Sequence, residues 1–298
     1  MRKKFRFCIL FTLIFLFITL IAKAEREIKY VDSEIRNGII YSKNEKIPYN
    51  GLIKDYYKNG NVKIEWTIVN GAQNGVAKSY YEDGTLKSDS IFKNNKKTGI
   101  EKMYSLDGKL VAEVPYKDEV RDGIEKQYSK TGKIIIEISF KNGIEDGAFK
   151  QYYENGVLEI EAFYKNDKLE GVKRDYYKSG KIENETSFKN GIEDGTKKSF
   201  YKNGNLKYSL ELKNGVENGA FKQYYENGVL EIEAFYKNGK LEGIRKDYYK
   251  SGKLEVEGLQ KNGKPDGWTY VYNEDGSLKR EIFFVEGKVY EKDNDKKK

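Results

Sequence analysis

The sequence predicts an all-β protein, an elongated antiparallel β-meander built from ten 24-residue hairpin repeats in a coiled single-layer sheet. Three observations predict it. A glycine recurs every 24 residues without interruption, at Gly51, Gly75, Gly99, Gly123, Gly147, Gly171, Gly195, Gly219, Gly243 and Gly267. The stretch GAFKQYYENGVLEIEAFYKN at Gly147–Asn166 returns almost letter for letter at Gly219–Asn238, three periods on. Turn residues alternate with tyrosine- and isoleucine-rich runs, and no 3.6-residue apolar period is sustained beyond the first 24 residues. A fixed period of this size marks stacked repeats, and short runs between turn signals mark strands.

Residues 1–24 read as a secretory signal peptide. Arg2, Lys3, Lys4 and Arg6 form a basic head, Phe7 to Ile21 an apolar stretch, and Ala22-Lys23-Ala24 a small-x-small cleavage site. The apolar stretch is shorter than the roughly 20 residues a spanning helix needs. Cleavage near Ala24 is therefore expected, with export to the periplasm, the cell surface or the medium and no stable membrane insertion. The single cysteine, Cys8, lies in this leader, so the mature chain would have no thiol chemistry. The leader also takes five cations with it. Fifty lysines and arginines then stand against 47 acids, a formal +3 in place of +8. Cations alternate with acids throughout instead of gathering on one face, which argues against a nucleic-acid partner.

Within a repeat we number offsets from the leading glycine as zero. A second glycine stands at offset 9 in all ten copies, preceded by Asn, Asp, Ser or Thr. Offsets 18 to 20 read Lys-Asn-Gly in the best copies, and Asn95, Glu119 and Asp167 replace the third glycine in three others. Asn and Asp tolerate a left-handed backbone and Glu does not, so the poorest turn is expected at Glu119. Two strands, offsets 1 to 6 and 11 to 17, lie between these turns.

Offset 5 is Tyr or Phe in every copy and offset 11 is always aliphatic. A three-residue loop with glycine last pairs 5 with 11, and continuing that register pairs 1 with 15. All odd offsets then share one apolar face, with Tyr152 packed and Tyr153 exposed on the other. Offset 3, Lys or Arg in nine copies, fits this badly; its stem would have to snorkel along the aromatic rows. Twenty strands with no helix to cover them should coil and turn that face inward, or self-associate through it. Residues 25–50 keep traces of the pattern and read as an N-terminal cap, residues 51–290 as the array, and residues 291–298 as a charged, solvated tail.

The absence of histidine excludes imidazole acid–base work, the usual nucleophile triads and ordinary zinc sites. The acids at offset 14, such as Glu137, Glu161, Glu185, Glu233 and Glu257, form a repeated column and not a pair in unlike environments. Alternation with lysine likewise disfavours calcium. The reading is a non-enzymatic protein with no cofactor and no metal. The sharper feature is the tyrosine column at offset 6, with Tyr153, Tyr177, Tyr201, Tyr225 and Tyr249 in unbroken succession. Such a row suits a protein partner or stacking on sugar rings, and equally suits plain stabilisation of the sheet.

The pattern from Gly147-Ala148-Phe149-Lys150-Gln151-Tyr152-Tyr153 onward resembles the bacterial variant of the MORN repeat, over about residues 51 to 290. The Pro48-Tyr49-Asn50-Gly51 entry is similar to the opening of such arrays. The resemblance implies a repeat rod without catalytic residues. It also implies a role in binding: such bacterial proteins are commonly labelled antitoxin components, and eukaryotic MORN arrays are associated with membrane lipids and scaffolding. With the leader, the first reading is an exported protein-binding or scaffolding surface. An antitoxin-like immunity protein that neutralises a protein toxin is the second, and glycan or peptidoglycan binding through the tyrosine column the third.

Overall fold

The computed structural model describes residues 26–290; the expected leader and the charged tail lie outside them. The array is one continuous antiparallel sheet. In the repeat at Gly147, strand Ile144–Tyr152 pairs with Leu158–Lys165, which turns back toward Gly171–Tyr176. The last long strand, Leu278–Val285, pairs with Lys264–Tyr272 and Lys288–Val289, and the first strand of the array, Gly51–Tyr56, with Val62–Val69 and Glu27–Lys29. The two ends of the sheet therefore do not meet among the described residues. Among the described residues substantial contacts join elements close in the chain and no second layer forms, as expected of a quasi-one-dimensional array.

The leading edge is covered. Glu27–Lys29 runs parallel to Leu52–Lys54, and a separate hairpin, Ser33–Arg36 with Ile39–Ser42, follows a short 3-10 turn. Tyr49 is fully buried there with Ile53 and Ile68, and its hydroxyl donates to the Arg26 carbonyl at 2.8 Å. A paired edge cannot recruit a stray strand.

Each hairpin closes with the expected three-residue loop. In the Gly147 repeat the Tyr153 amide donates to the Val157 carbonyl at 2.9 Å, the Gly156 amide returns to Tyr153, and Asn155 Oδ1 accepts the Val157 amide. Tyr152 then pairs with Leu158, offset 5 with 11. The expected pairing of 1 with 15 is incorrect. Glu159 is an extra residue in the ladder, a β-bulge, so Gln151 pairs with Ile160, Lys150 with Glu161 and Ala148 with Phe163. The same break follows offset 5 in all ten repeats. One inserted residue reverses the facing of everything after it.

The two faces are consequently not the odd and even offsets. One carries offsets 0, 2, 4, 6, 13, 15 and 17, and it is the more buried. Ile53 and Ala77 at offset 2, Val114, Ala162 and Ala234 at offset 15, and Ile68, Phe140 and Leu212 at offset 17 are all buried. Large and small residues alternate across its rungs: Phe149 faces Ala162 and rests edge-on against Tyr164 at 6.0 Å, and Phe221 with Ala234 and Tyr236 repeats this at 5.9 Å. The other face carries offsets 1, 3, 5, 11, 14 and 16. Tyr152 thus lies opposite the buried row, and Tyr153 lies on the buried row's side. The awkward lysine at offset 3 needs no snorkelling, because it sits on the charged face.

Between repeats the chain reverses in two-residue turns with both central residues at positive φ, as at Asn142 (51°) and Gly143 (86°), the hairpin type that suits Asn-Gly. Glu119 takes the same conformation at φ 76° and does not spoil its turn. Its carboxylate accepts the Lys97 amide of the preceding repeat, as Asp167 accepts that of Glu145 at 2.7 Å. A side chain has replaced a glycine and returned a hydrogen bond. The leading glycines answer a different need. Gly147 has φ 130°, and a Cβ there would stand 2.7 Å from the Cβ of Ser139 in the preceding repeat.

Candidate functional site

The tyrosines singled out by sequence form one column, which Tyr57 and Tyr81 extend. Each hydroxyl donates to the carbonyl of offset 5 in the next repeat, 23 residues on. Tyr153 reaches Tyr176, Tyr177 reaches Phe200, Tyr201 reaches Tyr224, Tyr225 reaches Tyr248 and Tyr249 reaches Tyr272, all within 2.6–2.8 Å. Tyr57 and Tyr81 make the same bond. The rings are half-buried. Asparagines at offset 8 add a parallel bond, as from Asn203 Nδ2 to the Glu226 carbonyl at 2.9 Å. This column therefore holds hairpin to hairpin along the rod. Burial raises the pKa of Tyr153, Tyr177, Tyr201, Tyr225 and Tyr249, with nearby glutamates adding to the effect, as Glu159 does for Tyr153 and Glu183 for Tyr177.

The charged face is a ladder of cross-strand pairs. Arg174 Nε donates to Glu185 at 2.9 Å and its Nη1 lies 3.7 Å from Glu161 in the preceding repeat. Lys222 with Glu233 and Lys246 with Glu257 repeat the rung. Tyrosines at offset 5 complete it: Tyr128 donates to Glu113 at 2.7 Å and Tyr152 to Glu137 at 2.8 Å. Burial, reinforced by the facing carboxylate, pushes both phenols up to about 12. The offset-14 acids are thus engaged by cations and phenols, an arrangement that joins strand to strand. Among the described residues no cluster of acids is placed to hold a metal ion, and no helix is long and apolar enough to cross a membrane.

Sequence reasoning missed the other half of this face. The inserted residue at offset 12 carries offsets 1 and 16 outward as a cross-strand row: Val76 with Ile91, Ile124 with Ser139, Ala148 with Phe163, Ile244 with Leu259, Trp268 with Phe283. Ile124 and Ile244 are each 55% exposed, and Ile100, Phe163, Phe235 and Trp268 about half exposed. Val120, Ile144, Ile192 and Val216, just after the inter-repeat turns, widen the row. The aliphatic character of offset 1 was the available signal, and the wrong register hid its meaning.

These features define an open, single-layer β-repeat protein whose repeats are bonded into a rod and whose two faces differ in chemistry. Nine consecutive segments, residues 49–70, 73–94, 97–118, 121–142, 145–166, 169–190, 193–214, 217–238 and 241–262, match the MORN repeat variant. The chain belongs to that family. No curated protein matches the chain. A tenth copy at Gly267, outside the matched segments, keeps the same strands and bulge.

Proposed function

We propose that the chain is an exported scaffold that binds a protein partner through the aliphatic row of its charged face. One observation carries this reading. In a strongly hydrophilic chain, half-exposed aliphatic and aromatic residues at offsets 1 and 16 recur from Val76 to Trp268 on one side of the sheet. Exposed apolar patches mark interaction surfaces in soluble proteins; here the row is interrupted at the polar rung of Thr196 with Glu211. The Lys–Glu ladder beside it supplies the polar rim that interfaces require. Export rests on the basic, apolar and small-residue pattern of residues 1–24. The repeat family supports a binding or scaffolding role.

Affinity capture from envelope and culture fluid tests the reading. The wild-type protein is compared with Ile124→Lys/Val172→Lys/Ile244→Lys, which alters only outward positions. Loss of a captured protein in the triple variant, with melting unchanged, supports it. Equal capture by both sinks the proposed face, and finding the full-length chain in the cytoplasm sinks export. Co-purification with a toxin would select immunity as the task of the surface, and retention on cell-wall matrices would select glycans.

A further inference from the structure

The tyrosine column has a gap of two repeats. Seven repeats place tyrosine at offset 6, whereas the third and fourth place Ser105 and Ser129 there. The tenth repeat has Asn273 there. The two serines turn inward on their own loops: Ser129 Oγ accepts the Thr131 and Lys133 amides, and Ser105 Oγ donates to the Lys109 carbonyl at 3.1 Å. The carbonyls of Tyr128 and Tyr152, counterparts of those bonded by the seven tyrosines, receive no side-chain hydroxyl among the described residues.

A second change accompanies the first. Offset 12, the bulge residue beside the tyrosine ring, is charged in eight repeats and aliphatic only in these two, as Val111 and Ile135. Elsewhere the position serves the ring or its neighbours: Lys87 lies over the Tyr81 ring, and Glu159 accepts from Gln151. Beside Ser129 and Ile135 lies a cavity of about 810 Å³ whose lining joins these two and Ile136 to Lys130, Lys133 and Glu154. A second of about 590 Å³, one repeat away, is lined by Ser105, Leu106 and Val111 with Asp107, Lys109 and Lys130. The groove beside the filled position at Tyr153 has Glu159 where the gap has Ile135.

We propose that this gap is a receptor for tyrosine side chains of a partner polypeptide, which complete the column that Ser105 and Ser129 interrupt. The occupant is specified by the rest of the molecule. The seven intact repeats fill the position with a phenol whose hydroxyl donates to the next repeat's carbonyl. An incoming tyrosine finds the same carbonyl, at Tyr128 or Tyr152, and an aliphatic wall in place of a charge. The two vacancies stand two strand spacings apart, roughly 10 Å. Tyrosines three residues apart in a polyproline II segment project to one side at about 9 Å, so a Tyr-x-x-Tyr segment matches both. The gap lies on the opposite face from the aliphatic row and does not depend on it.

The test is saturation-transfer NMR on the purified protein with N-acetyl-tyrosinamide, N-acetyl-leucinamide and a Tyr-Pro-Pro-Tyr peptide as probes. We expect transfer to the tyrosine probe and not the leucine probe, and the peptide should bind on the order of tenfold tighter through its second ring. Ser105→Tyr/Ser129→Tyr fills both vacancies and should abolish transfer while keeping or raising the melting temperature. Should that variant fold poorly, Ser129→Tyr alone fills one vacancy and should remove the peptide's advantage over N-acetyl-tyrosinamide. No transfer to any tyrosine probe overturns the proposal. So does undiminished transfer in a folded variant, or transfer from N-acetylglucosamine alone.

Discussion

The hydroxyl of Tyr177 donates to the carbonyl of Phe200, 2.7 Å away and 23 residues on, and so ties one hairpin to the next. A conventional hydrogen bond of this sort stabilises by about 0.5–1.5 kcal/mol net. Tyr177→Phe keeps the ring and should cost that amount; Tyr177→Ala also loses the packed ring and should cost more. Urea unfolding of both variants measures the difference. A Phe variant as costly as the Ala variant would assign the whole effect to the bond, against expectation.

Glycines that look alike in sequence should differ in stringency. A Cβ on Gly147 meets the Ser139 Cβ at 2.7 Å, whereas at Gly171, with φ 79°, it meets nothing within 4 Å. Gly171→Ala should therefore cost only the left-handed penalty of about 1–2 kcal/mol. Gly147→Ala should cost more, because the neighbouring strand must also move. Melting temperatures of the two variants, measured side by side, check the order.

The fold was legible in the sequence to a definite depth. The period, the two kinds of turn and the pairing of Tyr152 with Leu158 follow from glycine placement and loop chemistry. The bulge did not follow from the glycines, since no glycine or proline at Glu159 announces it. The signal was in the charges. Lys150 and Glu161 sit on one rung, a pairing of offsets 3 and 14 that the loop register of 5 with 11 cannot reach without one extra residue. Nine cations at offset 3 and nine acids at offset 14 held that constraint. The tyrosine column was likewise visible, but its bonding was not, because the acceptors are main-chain carbonyls. The gap at Ser105 and Ser129 acquired meaning only once those acceptors were known.

Alkaline pH should weaken the rod through its phenols. Tyr128 and Tyr152 have folded pKa values of about 12, raised from 10 chiefly by burial and then by Glu113 and Glu137. A raised value means that the folded state holds the proton more tightly. The associated stability is complete below pH 10 and is lost as pH rises toward 12. Urea midpoints between pH 9 and 12 should fall, and Tyr128→Phe/Tyr152→Phe should flatten the fall. An unchanged slope in that variant would place the titration elsewhere.

Arg174 offers the sharpest test of the facing that the sequence reading had reversed. If offset 3 belonged to the packed face, removing its charge would relieve a buried cation and stabilise the sheet. On the charged face, Arg174 instead bridges Glu185 at 2.9 Å and Glu161 at 3.7 Å, with about a third of its side chain exposed. Partly exposed pairs of this kind are worth about 0.2–1 kcal/mol and are screened by salt. A double-mutant cycle of Arg174→Ala with Glu185→Ala should give a coupling in that range at low ionic strength, and less in 1 M salt. Arg174→Glu should cost more than Arg174→Ala, because it sets a third carboxylate between two others, and salt should narrow that gap. A coupling that grows with salt, or an Arg174→Leu variant more stable than wild type by over about 1 kcal/mol, would return the arginine to the packed face and undo the register.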